Sequence, residues 1–228
     1  LWIFFEQRLQ NPQDAFTDDE LIDEFVTFLF ARMDTTGHLL TSMAYYCTIH
    51  GKYKERLLAE VNAHFADPSK VTIDDLNKME FMTAFIKESL RMMSPAPLLL
   101  LRMAQEDHTL GDLKIEKGTL VTINMIAKNF DPRVHNEPTK FDPDRWLTDS
   151  LTSKSVSSNS YVFTPFSTGA RNCIGQHLAM NEARIIMSLF LKKYQFELAD
   201  KDYKLDMIWR MLYEPYKDIE LSLTPVEN

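Results

Sequence analysis

Cysteine is scarce in this chain: two residues in 228, Cys47 and Cys173. Two thiols so far apart build no disulfide framework, and they suit a reducing compartment better than an oxidising one. Long apolar runs are also missing. No stretch of about eighteen consecutive apolar residues occurs, so nothing reads as a membrane span. Positive charge is not in excess either. Lys and Arg number 25 against 33 Asp and Glu, a net charge of -8, which argues against broad affinity for nucleic acid. No internal repeat is present. No signal-type segment opens the chain, which begins at Leu1 rather than Met, so the lack of an anchor here leaves anchoring of the whole gene product open. What remains is an ordinary globular composition, 45% hydrophobic and 25% charged. The length is enough for one domain, or a large part of one, with a real core.

Local signals predict long helices separated by small β-pieces. Thr17-Asp18-Asp19-Glu20 is a capping box ahead of an apolar helix that runs from about Asp18 to His50 and is closed by Gly51. A second helix covers about Lys52 to Phe65, a short one follows Thr72, and another runs from about Glu80 to Met93, stopping at Ser94-Pro95. Leu98 to Met103 reads as a strand. Thr109-Leu110 and Lys114-Ile115 flank a turn at Gly111-Asp112, and Gly118 opens a strand from Leu120 to Ile123. From Asp131 to Trp146 the prolines break periodicity, which predicts an irregular packed segment. Ser150 to Ser160 is serine-rich and reads as a mobile surface loop. A long helix spans about Gly175 to Tyr194, and the tail from Phe196 to Leu223 suggests one or two hairpins.

The richest stretch is Phe166-Ser167-Thr168-Gly169-Ala170-Arg171-Asn172-Cys173-Ile174-Gly175. It sets one cysteine between glycines, just before a helix whose free N–H groups and positive dipole end favour a thiolate. Gly169 supplies a tight turn. Gly175 lets a flat group or the backbone come close, Arg171 offers a fork of donors for a carboxylate, and Phe166 is placed to cover the sulfur. This is what a thiolate held against a metal macrocycle requires. Two other readings stand beside it. Cys173 could be a small buried hydrophobe. It could also share a zinc ion with His177, four residues on, although a closed zinc site needs about four ligands and no other Cys or His lies nearby in sequence.

Read as a whole, this stretch resembles the cysteine-ligand loop of the haem-thiolate monooxygenases, the cytochrome P450 family, at Phe166, Gly169, Arg171, Cys173 and Gly175. The resemblance implies haem b (iron protoporphyrin IX) with Cys173 as axial ligand. It implies that Arg102 and Arg171 bind the propionates, and that Glu88, Arg91 and Arg145 form a buried triad through the Glu-x-x-Arg and Pro-x-Arg-aromatic motifs. Ala31-Arg32-Met33-Asp34-Thr35-Thr36 resembles the oxygen-activating segment, with Thr35 and Asp34 as the catalytic pair. On the residues alone, Thr35 could instead bond back to the carbonyl of Ala31, and Asp34 or Thr35 could cap a helix. Arg32 departs from the pattern, which has glycine there.

The order of motifs implies a mainly α fold with small β-sheets, the C-terminal half of the cytochrome P450 fold. Residues 1–228 would be the haem-binding part of one domain, with the N-terminal helices and membrane anchor elsewhere. The implied activity inserts one atom of O2 into a small apolar substrate, with electrons from a flavoprotein reductase, at the cytosolic face of the endoplasmic reticulum or in mitochondria. Substrate contacts would fall on Phe28, Ala31, Thr35, Pro97 to Leu100 and Leu212. Two alternatives stay open: a haem-thiolate isomerase or dehydratase that never activates O2, which Arg32 favours, and a truncated relative used for protein contacts.

Overall fold

In the computed structural model of the protein, the capping box opens the longest helix. The Thr17 N–H and hydroxyl donate to Glu20 Oε2 at 2.8 and 2.9 Å, and the Glu20 N–H donates back to Thr17 Oγ1 at 3.3 Å. Two orphan donors are thereby satisfied reciprocally, and the acidic first turn suits the positive end of the helix. This helix, α1, is Asp18–Ile49. The structure describes residues 15–65, 67–98, 101–147 and 161–226, together with residues 6, 10, 11 and 13. The serine-rich loop expected at 150–160 lies outside the described residues.

The chain forms two compact units, Leu1–Thr35 and Thr36–Asn228. In the first, the α1 residues Phe25, Val26, Phe28, Leu29 and Phe30 are each 47–56% exposed. Thr27 and Thr35 return their hydroxyls to the carbonyls of Asp23 and Ala31, both at 2.8 Å.

The second unit holds the hydrophobic core. Among the described residues its helices are α2 (Gly51–His64), α3 (Ile73–Asn77), α4 (Glu80–Met92), α5 (Met125–Asn129) and α6 (Gln176–Lys193). Met43 and Cys47 on the last turns of α1, Leu57 and Val61 on α2, Phe85 and Ile86 on α4, and Met187 on α6 are all at most 2% exposed. Each of these except the smaller Cys47 contributes about 1.5–3 kcal/mol through burial. Tyr46 and Phe141 stack at 3.8 Å in the middle of this cluster. α4 is buried on most of its surface, so the free N–H groups of its first turn need a partner from within the protein. Glu60 of α2 supplies it, accepting from the Phe81 and Met82 N–H groups at 2.8 and 2.7 Å. Ser94-Pro95 follows the end of α4, as the proline predicts.

Among the described residues the β-structure is four two-stranded antiparallel sheets. β1 (Arg102–Met103) pairs with β4 (Leu120–Val121), and β2 (His108–Leu110) with β3 (Leu113–Ile115). β5 (Tyr194–Leu198) pairs with β8 (Leu221–Pro225), and β6 (Met207–Trp209) with β7 (Tyr213–Pro215). The β2–β3 loop is Gly111-Asp112, with φ 60° at the glycine, the conformation that two-residue hairpins ask of it. Two predicted strands are shorter than their apolar runs. The run from Leu98 is strand only at Arg102–Met103, with residues 99 and 100 outside the described set, and the run from Leu120 ends at Val121. α5 was not expected. Asn124 caps it, accepting from the Ala127 N–H at 3.0 Å.

Candidate functional site

The cysteine loop is built from backbone bonds. A turn opens it: the Ser167 N–H donates to the Thr164 carbonyl at 3.0 Å, and Ser167 has φ 65°, a left-handed conformation uncommon for a residue with a Cβ. A 3₁₀ turn, Gly169–Arg171, follows. Gly169 has φ 79°, where any other residue would be strained by about 1–2 kcal/mol. The Asn172 N–H then donates to the Gly169 carbonyl at 3.1 Å, and the Cys173 N–H donates to the Phe166 carbonyl at 2.9 Å. The Gln176 N–H reaches the Cys173 carbonyl at 3.4 Å as α6 begins. The backbone around Cys173 is fixed on both sides while the thiol is exposed. A Cβ placed on Gly175 would meet only the Cys173 Sγ, at 3.8 Å. Arg171 is exposed on the same loop. The Phe166 ring packs against the core, and its carbonyl is what holds the cysteine.

Glu88, Arg91 and Arg145 meet in one buried network. Glu88 is 0% exposed, Arg91 1% and Arg145 7%. Arg91 sits one helical turn beyond Glu88 and grips it with two parallel bonds, Nε to Oε2 at 2.9 Å and Nη2 to Oε1 at 2.8 Å. Arg145 Nε donates to Oε1 at 3.0 Å. The 3₁₀ turn Pro143–Trp146 brings two further donors that the sequence reading did not assign. Trp146 Nε1 donates to Oε2 at 2.8 Å, and the Asp142 N–H donates to Oε1 at 2.8 Å. Arg91 also donates to the carbonyls of Asn129, Pro138 and Lys140 at 2.8, 2.7 and 3.1 Å. One carboxylate and two guanidiniums thus hold the irregular segment onto α4 in place of regular structure.

His135 is a second residue that sequence reasoning passed over. It is 0% exposed, neither ring nitrogen has a hydrogen-bond partner among the described residues, and its ring lies 5.9 Å from that of Trp146. Burial, then the neighbouring Arg91 and Arg145 charges, push its pKa down to about 4.

Asp34 and Thr35 belong to the first unit and are half-buried. Thr35 Oγ1 donates to the Ala31 carbonyl, the local bond that the residues alone allowed. Arg32 is exposed on the same helix. Arg102 opens β1, opposite Val121, and its exposed side chain donates from Nη1 to the Leu101 carbonyl at 2.9 Å. Leu212 is buried.

A model of the protein family Cytochrome P450 matches residues 2–222. The chain belongs to the cytochrome P450 family. It is similar to Cytochrome P450 4c3 of Drosophila melanogaster, 29% identical over 92% of this chain and 38% of that protein. To Cytochrome P450 4c21 of Blattella germanica it is 32% identical over 96% of this chain and 44% of the relative. To Cytochrome P450 4A10 of Rattus norvegicus it is 32% identical over 82% and 36%. The chain therefore spans 36–44% of the length of these curated relatives.

The cofactor of this family is haem b, and the loop's donor set fits it. Among the described residues no group of three or more His, Cys, Asp or Glu could hold a metal ion. A tetrahedral zinc site on Cys173 and His177 thus lacks its other ligands. A lone exposed thiol suits an iron that brings its remaining donors in a macrocycle. The open space beside Gly175 leaves the sulfur approachable by a flat group.

Proposed function

We propose that residues 1–228 form the C-terminal, haem-binding part of a single cytochrome P450 domain in a haem-thiolate monooxygenase. The reaction inserts one atom of O2 into an apolar organic substrate and reduces the other to water, with electrons from a flavoprotein reductase. The observation that carries the reading is the exposed Cys173 thiol on a loop whose backbone is tied at Phe166, Gly169 and Gln176. A ligand fixed in this way meets its metal without first being ordered.

When bound, the haem supplies the redox chemistry of O2 cleavage, which an electron-donating thiolate favours. This chain's residues do the rest. Cys173 would supply the sulfur that holds the iron. Arg171 and Arg102, both exposed, would hold the two propionates. Thr35, whose hydroxyl proton is committed to the Ala31 carbonyl, keeps its oxygen lone pairs free to accept a proton-bearing partner. Asp34, beside it in sequence, is the carboxylate that loads and releases protons. The Glu88 network acts at one remove, by holding the segment from Asn129 to Trp146 in place.

No described helix is long and apolar enough to cross a membrane. In this reading, attachment to the cytosolic face of the endoplasmic reticulum is made by other parts of the whole polypeptide.

The test is Cys173→Ser in the full-length protein, with the CO-bound Soret band recorded after reduction. Loss of the thiolate-type band, together with loss of NADPH-dependent product, is expected. An unchanged band would refute the assignment.

A further inference from the structure

The haem-thiolate reading leaves open what aims the cysteine loop, and a lysine outside the family motifs sits where this is decided. Lys128 lies on α5, which is tied to the buried network on one side. Arg91 Nη1 donates to the Asn129 carbonyl at 2.8 Å, and Asn129 Nδ2 donates to the Arg91 carbonyl at 3.1 Å. On the other side, Lys128 Nζ donates to Thr164 Oγ1 at 2.7 Å and to the Tyr161 carbonyl at 3.1 Å. Thr164 is the first residue of the turn that opens the loop: its carbonyl accepts from Ser167, the residue held at φ 65°. Next in the chain of bonds comes Phe166, whose carbonyl holds the Cys173 N–H.

We propose that Lys128 is a positioning residue for Cys173, fixing the strained Thr164–Ser167 turn to the Glu88–Arg91 network and so setting the direction in which the thiolate loop leaves it. Non-glycine residues stay in the left-handed region only where their surroundings over-determine them, and the Lys128 ammonium supplies that determination at Thr164. The ring contact between Trp146 and Phe163, 4.3 Å between centroids, links the same two parts. A ring contact can slide, however, whereas two hydrogen bonds to one ammonium fix a direction.

The lysine is not there for bulk stability. It is half-buried, and burial alone pushes its pKa down to about 8, so placing the ammonium costs desolvation that its two neutral acceptors only partly return. An aliphatic side chain of similar length would pack as well and lose only the tie.

The proposal rests on the haem-thiolate reading, and its test separates the two. In the haem-loaded full-length protein, Lys128→Met, Lys128→Arg and Thr164→Val are compared with the parent. The measurements are the rate at which the CO complex passes from the thiolate-type to the protonated-thiol band in mild guanidinium, the iron reduction potential, and the global unfolding midpoint. Lys128→Met is expected to speed the conversion about tenfold, the factor equivalent to about 1.4 kcal/mol, with the midpoint unchanged or higher. Thr164→Val should move the rate in the same direction, and Lys128→Arg should restore most of it. A parent-like rate in Lys128→Met would overturn the proposal, and so would a faster rate that merely tracks a fall in global stability. If Lys128→Met does not fold, Thr164→Val decides by the same rate. A parent protein without a thiolate-type band would overturn the haem-thiolate reading and this proposal together. A normal parent band with unmoved variants would overturn this proposal alone.

Discussion

Glu88→Gln would keep the shape of the side chain at the centre of the α4 network and remove its charge. In the native protein the carboxylate accepts five hydrogen bonds, from Arg91 Nε and Nη2, Arg145 Nε, Trp146 Nε1 and the Asp142 N–H, at 2.8–3.0 Å. A glutamine offers one oxygen to these donors and turns an N–H₂ toward the others. Removing one partner of a buried charge group costs about 3–5 kcal/mol, because the charge left behind stays out of water. The lower part of that range applies to Glu88→Gln. Arg91 keeps three backbone carbonyls and Arg145 keeps those of Asn136 and Lys140, so neither guanidinium is stranded. Glu88→Ala adds a cavity and an orphaned Trp146 N–H, so a loss of about 4–5 kcal/mol is expected. For a protein of ordinary stability, either loss lowers folding yield several-fold. The assay is denaturant unfolding of the full-length holoprotein, with haem retention followed in parallel. A double-mutant cycle with Arg145→Met should give a coupling above about 1 kcal/mol. A Glu88→Gln change within about 0.5 kcal/mol of the parent would refute the argument, since that is the value of an exposed surface pair.

The parts of this fold that were legible in the sequence are those whose causes lie within a few residues. The Thr17–Glu20 box, the Ser94-Pro95 stop and the Gly111-Asp112 turn are local chemistry, and each appears where it was read. The cysteine loop was legible for the same reason, since its glycines, arginine and thiol lie within ten residues. The Glu88–Arg91 spacing gave one helical face but not its burial. A pair three apart looks the same in water as in a core, and only the resemblance brought Arg145 to it. Trp146 and the Asp142 N–H escaped notice because the 3₁₀ turn at Pro143–Trp146 is what carries them back to α4. His135 stands in a proline-rich segment that gives no periodic sign of burial. Lys128 finds its acceptor 36 residues away, beyond the reach of any pattern. The tail shows the same limit. Its alternation predicted hairpins, and β6–β7 is one, but nothing local says that Tyr194 pairs with Pro225 around it.

Two further outcomes follow from backbone and burial. Gly169→Ala puts a Cβ at φ 79°, where nothing lies within 4 Å, so the cost is internal to the residue, about 1–2 kcal/mol. Faster haem loss with little change in helix content by circular dichroism is expected, and parent-like haem loss would show that the loop does not need this conformation. His135 should make the protein acid-sensitive above the carboxylate range. Burial first, then the charges of Arg91, Arg145 and Lys128, with Glu88 opposing them, hold its folded pKa at about 4, below the ordinary 6.5. Above pH 6.5 the imidazole is neutral in both states and contributes nothing to the pH dependence. As the pH falls from 6.5 towards 4, the unfolded chain takes up a proton that the folded site refuses, so stability declines across that window, by about 3 kcal/mol at most, and levels off below it. His135→Phe keeps a ring against Trp146 and removes the titration, so the difference in unfolding free energy between variant and parent should widen steadily from pH 6.5 to 4. A difference that stays constant over that range would mean that His135 is protonated as readily in the folded protein as in the unfolded chain, and that neither its burial nor the guanidiniums around it govern its charge.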